Sequence, residues 1–99
     1  MNDIPTELKH LSSEKQRFFT FVTRHCGFTY EERFKRGTRW VLRFTYPYGH
    51  DTNSVYEVRQ DDFFPSMQWL RITQTSDEIA RPLFNLFLDI YSNYVENER

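Results

Sequence analysis

The sequence predicts an α+β fold: a two-layer domain, helix, then a four-stranded antiparallel meander, then helix, with residues 1–99 forming a single domain. Three observations predict it. Apolar residues recur at helical spacing early in the chain and again after residue 78. Between these stretches the apolar period falls to two. The period-two runs are separated by short segments rich in Gly, Pro, Asn and Asp, so successive strands join as hairpins and pair antiparallel.

The first helix is predicted over residues 13–26. Ser13 followed by Gln16 reads as a capping box, and Glu14 adds negative charge to the first turn. Phe18, Phe21, Val22 and Cys26 then fall near one face, and Gly27 stands where a left-handed C-terminal cap belongs. Leu8 and Leu11 precede it in a short turn opened by Pro5. From Phe28 the alternation begins, with Phe28, Tyr30 and Phe34 sharing parity. Gly37 in KRGTR is predicted to turn the chain at positive φ. Trp40, Leu42, Phe44, Tyr46 and Tyr48 alternate with Val41, Arg43 and Thr45 and predict the longest strand. PYGHDTNS reads as a loop, residues 55–59 as a third short strand, QDDFFPS as another loop, and residues 67–73 as a fourth strand. Thr75 and Glu78 read as a second capping box. The run over residues 79–95 is apolar around much of its circumference, with Leu83, Leu86, Phe87, Ile90 and Tyr94 on one stripe and Phe84, Leu88, Tyr91 and Val95 beside it. A stripe this wide predicts contacts on two sides: the sheet on one, the first helix or a second copy of the chain on the other. Pro82 either kinks this helix or restarts it.

Composition narrows the function. Ten Phe, six Tyr and two Trp supply a core of large rings. A single cysteine excludes an internal disulfide and a Cys-rich metal site. No apolar run approaches the length a bilayer requires. MNDIPTELKH lacks the zones of a signal peptide, so a cytoplasmic protein is expected. The net charge of −1 does not favour a general nucleic-acid binder. The halves differ, however: residues 1–50 carry nine basic and five acidic residues, a balance of +4, and residues 51–99 carry four and nine, a balance of −5.

The basic excess concentrates in EERFKRGTRWVLR. On strict alternation Phe34, Trp40, Leu42 and Phe44 face the helices, while Arg33, Lys35, Arg39 and Arg43 face the other way, near the turn that Arg36 adjoins. These five form a candidate anion-binding surface for a nucleic-acid backbone or an acidic protein. The competing reading is a solvated sheet face on which Glu31 and Glu32 pair with the arginines across the ladder.

No catalytic constellation, cofactor or metal site is expected. His25 and Cys26 are adjacent, so a helix points them about 100° apart. His50 and Asp51 sit in a loop without companion ligands. Asp51 followed by Glu57-Val-Arg59 is loosely similar to the metal-binding pattern of many DNA-cutting nucleases, with Arg59 in place of their lysine and Asp51 in a loop. In Asp61-Asp62-Phe63-Phe64-Pro65 the aromatics either plug the end of the core or present an exposed ring beside acid, a frequent composition of protein contacts.

The order of elements is similar to that of double-stranded RNA-binding domains, which grip phosphates with lysines opening their last helix. Here that position reads TSDEIARP, where Asp77 and Glu78 repel phosphate, and the predicted sheet has one strand more. In size and chemistry the chain resembles immunity proteins, which neutralise a bacterial toxin, and equally the phage-encoded inhibitors of bacterial defence. That resemblance implies a non-catalytic binding protein that occludes the active site of a protein partner such as a nuclease. Tyr48, Asp51, Glu57, Asp61, Asp62 and Phe63 are the expected contact residues. The alternatives are a nucleic-acid-binding regulator using Arg33, Lys35, Arg36, Arg39 and Arg43, and a homodimeric chaperone or scaffold joined through the C-terminal helix.

Overall fold

Pro5 opens a 3-10 turn at Thr6–Leu8, which sinks Leu8 into the core. The computed structural model describes residues 4–45, 55–66, 69–70 and 77–97, and of residues 77, 79 and 80 the backbone alone. The N-terminal cap lies one residue earlier than the spacing suggests. The Ser12 hydroxyl accepts the Lys15 N–H at 3.2 Å, and the Gln16 amide turns back to the carbonyls of Lys9 and Leu11 at 2.8 and 2.9 Å. Helix α1 covers Ser13–Thr20 and continues through Phe21–His25 as a wider π-helical turn, with the Cys26 N–H reaching the Phe21 carbonyl at 3.0 Å. Gly27 ends it at φ 84°. The helical segment thus matches the expected length in two winding forms. Phe18, Phe19, Phe21 and Val22 are all buried, one more ring than a single apolar stripe provides.

Three strands form an antiparallel meander in the order β1-β2-β3: β1 Thr29–Arg36, β2 Arg39–Thr45 and β3 Val55–Arg59. The first hairpin turns on Gly37 and Thr38, with Gly37 at φ 67° and no positive φ at Thr38, the II′ arrangement that matches strand twist. A Cβ at Gly37 would meet nothing within 4 Å, so Gly37→Ala isolates the backbone cost. It is expected to lower stability by about 1–2 kcal/mol in chemical denaturation, without altering the packing seen by aromatic fluorescence.

The register of β1 departs from strict alternation. Tyr30 lies opposite Phe44 and Glu32 opposite Arg43, so Glu31 is an extra, bulged residue. Every side chain beyond it changes face relative to the period-two expectation. Arg33 lies opposite Leu42 and Lys35 opposite Trp40, on the helix side; Phe34 lies opposite Val41, on the outer side. Removing one of the adjacent glutamates leaves those pairings intact. Such a deletion is expected to cost only about 1 kcal/mol, measured by urea unfolding, whereas a regular strand would have all its side chains inverted.

After β3 a 3-10 turn, Gln60–Asp62, drops Phe63 into the core, where it is wholly buried. The residues expected to make a fourth strand behave differently where they are described. Trp69 and Leu70 are helical: the Trp69 N–H donates to the Ser66 hydroxyl at 3.3 Å and the Leu70 N–H to the Ser66 carbonyl at 3.2 Å. Both side chains are buried, which successive residues of a half-exposed strand cannot achieve. The rest of that predicted strand, the positions Tyr46 and Tyr48 expected to extend the second strand, and the expected loop PYGHDTNS lie outside the described residues.

Helix α2, Asp77–Asn97, carries Pro82 within it; the expected cap at Thr75 lies outside the described residues. Its inward rings are Phe87, Tyr91 and Tyr94, and they meet Phe18, Phe21 and His25 of the first helical segment at centroid distances of 5.1–6.4 Å. The other side of the first helix meets the sheet through Phe19, which contacts Tyr30 at 5.4 Å and Phe44 at 6.0 Å. Phe18, Phe63, Phe44 and Trp69 close the centre. The fold is therefore α+β, with two helices flanking a three-stranded antiparallel meander among the described residues. None of the described helices is long and apolar enough to cross a membrane.

Candidate functional site

The bulge at Glu31 divides the basic hairpin between two faces. Residues opposite one another in a ladder share a face, so Glu32, Phe34 and Arg36 of β1, Arg39, Val41, Arg43 and Thr45 of β2, and Val55, Glu57 and Arg59 of β3 form the outer surface. Arg33 and Lys35 lie on the other side, beyond the end of the core. The expected grouping of Arg33 and Lys35 with Arg39 and Arg43 is thus corrected, as is the placement of Phe34 toward the helices.

On the helix side Trp40 becomes a stacking surface. The Arg33 guanidinium lies 3.7 Å from its ring centroid and the Lys35 ammonium 5.2 Å. The Arg33 Nε donates to Gln60 Oε1 at 2.7 Å, and its Nη2 stands 3.4 Å from His10 Nε2. Lys15 Nζ holds the Gln60 carbonyl at 2.8 Å. These contacts fasten the start of the post-β3 turn to the hairpin through Arg33 and to α1 through Lys15.

The outer face is built around Glu57. Arg36 Nη2 donates to its Oε1 at 2.7 Å, and Arg43 donates to its Oε2 from Nε at 3.1 Å and Nη2 at 3.0 Å. Arg43 Nη1 also binds Glu32 at 2.6 Å. Both guanidiniums lie over the Phe34 ring, at 5.3 and 4.6 Å. The bulged Glu31 accepts the Thr45 hydroxyl at 2.6 Å. Two of the five candidate cations, Arg36 and Arg43, are therefore engaged with carboxylates of the sheet itself. Arg36 first, and Arg43 after it, hold the Glu57 carboxyl below the ordinary glutamate range, with desolvation opposing them. The network's contribution to stability is whole above that range and is lost as pH falls through the lowered value. Carboxyl-carbon NMR should place the Glu57 midpoint below the ordinary glutamate range, and Arg36→Ala should move it upward.

Arg39 and Arg59 differ from Arg36 and Arg43: neither makes an ion pair or side-chain hydrogen bond among the described residues. They border an open groove of about 480 Å³ between the β2–β3 ladder and the 3-10 turn, whose walls also include Arg36, Glu57 and Asp62. Sequence spacing marked Arg39 as part of the basic run but treated Arg59 only as a member of a nuclease-like pattern; their convergence depends on the β2–β3 register.

The other expected contact residues are scattered. Tyr48 and Asp51 lie outside the described residues. Asp61 is exposed and Asp62 half-buried on the turn. Phe63 is core rather than contact surface, because the turn aims it at Phe18 and Phe44. Phe64, 45 % exposed, is the ring presented to solvent. It borders a smaller groove of about 310 Å³ with Ser12, Glu14, Lys15, Pro65 and Tyr91. On α2, Leu86 and Ile90 are exposed.

Among the described residues, no three His, Cys, Asp or Glu side chains gather to hold a metal ion, and no polar or charged side chain is fully buried. Burial pushes the Cys26 thiol up to about 11, which keeps it protonated and a poor nucleophile at neutral pH. Its neighbour His25 stacks on Phe21 at 5.4 Å. The Tyr30 hydroxyl donates to Glu7, and burial, then this bond, raise its pKa. Compared with known proteins, the chain matches no family model, no curated sequence and no solved structure.

Proposed function

We propose that the chain is a non-catalytic binding protein that covers a functional site on another protein, as immunity proteins and small inhibitors do. The observation that carries this reading is the groove at the β2–β3 edge. It sets Arg39 and Arg59, which make no ion pair among the described residues, beside Glu57 and Asp62. A surface of both signs complements the mixed charges of a protein. It suits a phosphate backbone poorly, because its own carboxylates repel one. Of the acids proposed to substitute for phosphate in a toxin's cleft, Glu57 is bonded to Arg36 and Arg43 of the sheet face, whereas Asp61 is exposed and Asp62 half-buried on the turn.

The test is position-resolved capture. A photo-reactive residue replacing Arg59 should cross-link one polypeptide in cells of the source organism. The same residue replacing Ser92, on the solvent side of α2, should not. Asp61→Lys should reduce the Arg59 cross-link, and adding the purified chain to the captured protein should lower that protein's activity. Cross-linking to nucleic acid, or equal yields from positions 59 and 92, would overturn the proposal.

A further inference from the structure

We infer that the groove between Arg39 and Arg59 is a carboxylate-receiving subsite, which takes an acidic side chain from an extended segment of the partner protein. This rests on the protein-binding reading above and specifies what the partner must present. Arg59 stands opposite Val41 in the ladder, and Arg39 lies two residues before Val41 on the same face. The two are therefore diagonal neighbours across adjacent strands, about 7–8 Å apart at the backbone, within reach of one ligand for side chains of this length.

Charge selects the ligand class. The groove is bordered by Arg36, Arg39 and Arg59 and by Glu57 and Asp62, so three positive groups less two negative ones leave a surplus of one. Arg36 is already bonded to Glu57, which leaves Arg39 and Arg59 facing Asp62. A single negative charge balances this site. A doubly charged phosphate or a phosphodiester track over-fills it and meets the Glu57 and Asp62 carboxylates at close range. Guanidinium groups donate in a planar fork that matches a carboxylate. Val41, buried on this same face, gives the groove an apolar floor on which the methylenes of a glutamate can rest.

The experiment is an NMR titration of the arginine Nε–H signals of the whole chain. The probes are a capped tetraglutamate peptide, a capped tetraglutamine peptide, inorganic phosphate and a short thymidine oligonucleotide. The expected result is saturable shifts at Arg39 and Arg59 with tetraglutamate, in the range of about 1–10 mM for so exposed a site, and none with tetraglutamine. Arg43, held by Glu32 and Glu57, should shift least. Arg39→Ala and Arg59→Ala should each weaken binding about three- to fivefold, while Arg81→Ala on α2 should leave it unchanged. Equal shifts at Arg39, Arg43 and Arg81, tighter binding of phosphate or oligonucleotide, or no saturable shift would each overturn the inference. Shifts without position-dependent cross-linking would retain the carboxylate subsite and remove the protein-binding reading. Cross-linking without shifts would do the reverse.

Discussion

Phe18→Ala is expected to lower stability by about 3–5 kcal/mol, a large share of the roughly 5–15 kcal/mol that holds a domain folded. The Phe18 ring meets five others, from Phe21, Phe63, Trp69, Phe87 and Tyr91. It thereby joins the first helix to the turn after β3 and to α2 at one point, and none of these neighbours can move inward without abandoning another contact. Thermal unfolding followed by circular dichroism should show a fall of at least about 12 °C. Phe64→Ala, on a ring that is 45 % exposed, should cost no more than about 1 kcal/mol. Comparable losses from the two substitutions would contradict the core described.

Reversing charge at Arg39 and Arg59 together is the second large effect. Arg39→Glu with Arg59→Glu turns a groove of three positive and two negative groups into one of one positive and four negative. The like-charge contact with an acidic partner segment then costs several kcal/mol, so affinity for the cross-linked partner is expected to fall about 100-fold or more, measured by titration calorimetry. Both residues are exposed and make no ion pair or side-chain hydrogen bond among the described residues, so stability should move by no more than about 0.5 kcal/mol. A double variant that binds as the parent does would remove the groove from the contact surface.

Periodicity carried most of the fold. The first helix, the Gly37 turn, the limits of β3 and the long last helix were legible because each rests on a local rule, and Val55–Arg59 occupies the very span that alternation indicates. The misreadings come from single residues whose effect is not local. A bulge carries no composition signal: Glu31 and Glu32 look alike, and nothing in EERF tells which of them the ladder will skip. Ser66 caps a helical turn with the same spacing that marks Ser12, yet the apolar run after it also satisfies a strand pattern, and short apolar runs do not separate the two by period. For Phe63-Phe64 the sequence left two alternatives, both rings in the core or one of them exposed; the 3-10 turn before them buries Phe63 and exposes Phe64.

The candidate site was legible only in part, for the same reason. The basic run announced a charged hairpin, and Glu32 does answer Arg43 as a solvated face requires. The stronger counter-ion, Glu57, comes from β3, fourteen residues after Arg43, and pairing across that distance is a property of the folded register. Once Arg36 and Arg43 are engaged, Arg59 becomes the companion of Arg39, an association that no spacing in the sequence suggests.

Nuclear Overhauser effects from the Phe34 ring test the central claim, that the bulge at Glu31 sorts the hairpin's side chains between the faces. The arrangement predicts contacts from Phe34 to the Val41 methyls and to the side chains of Arg36 and Arg43, with Arg33 seen over Trp40. Contacts from Phe34 to Phe19 or Phe44 would mean that the strand alternates without a break, and Arg36 would then leave the outer face and its bond to Glu57.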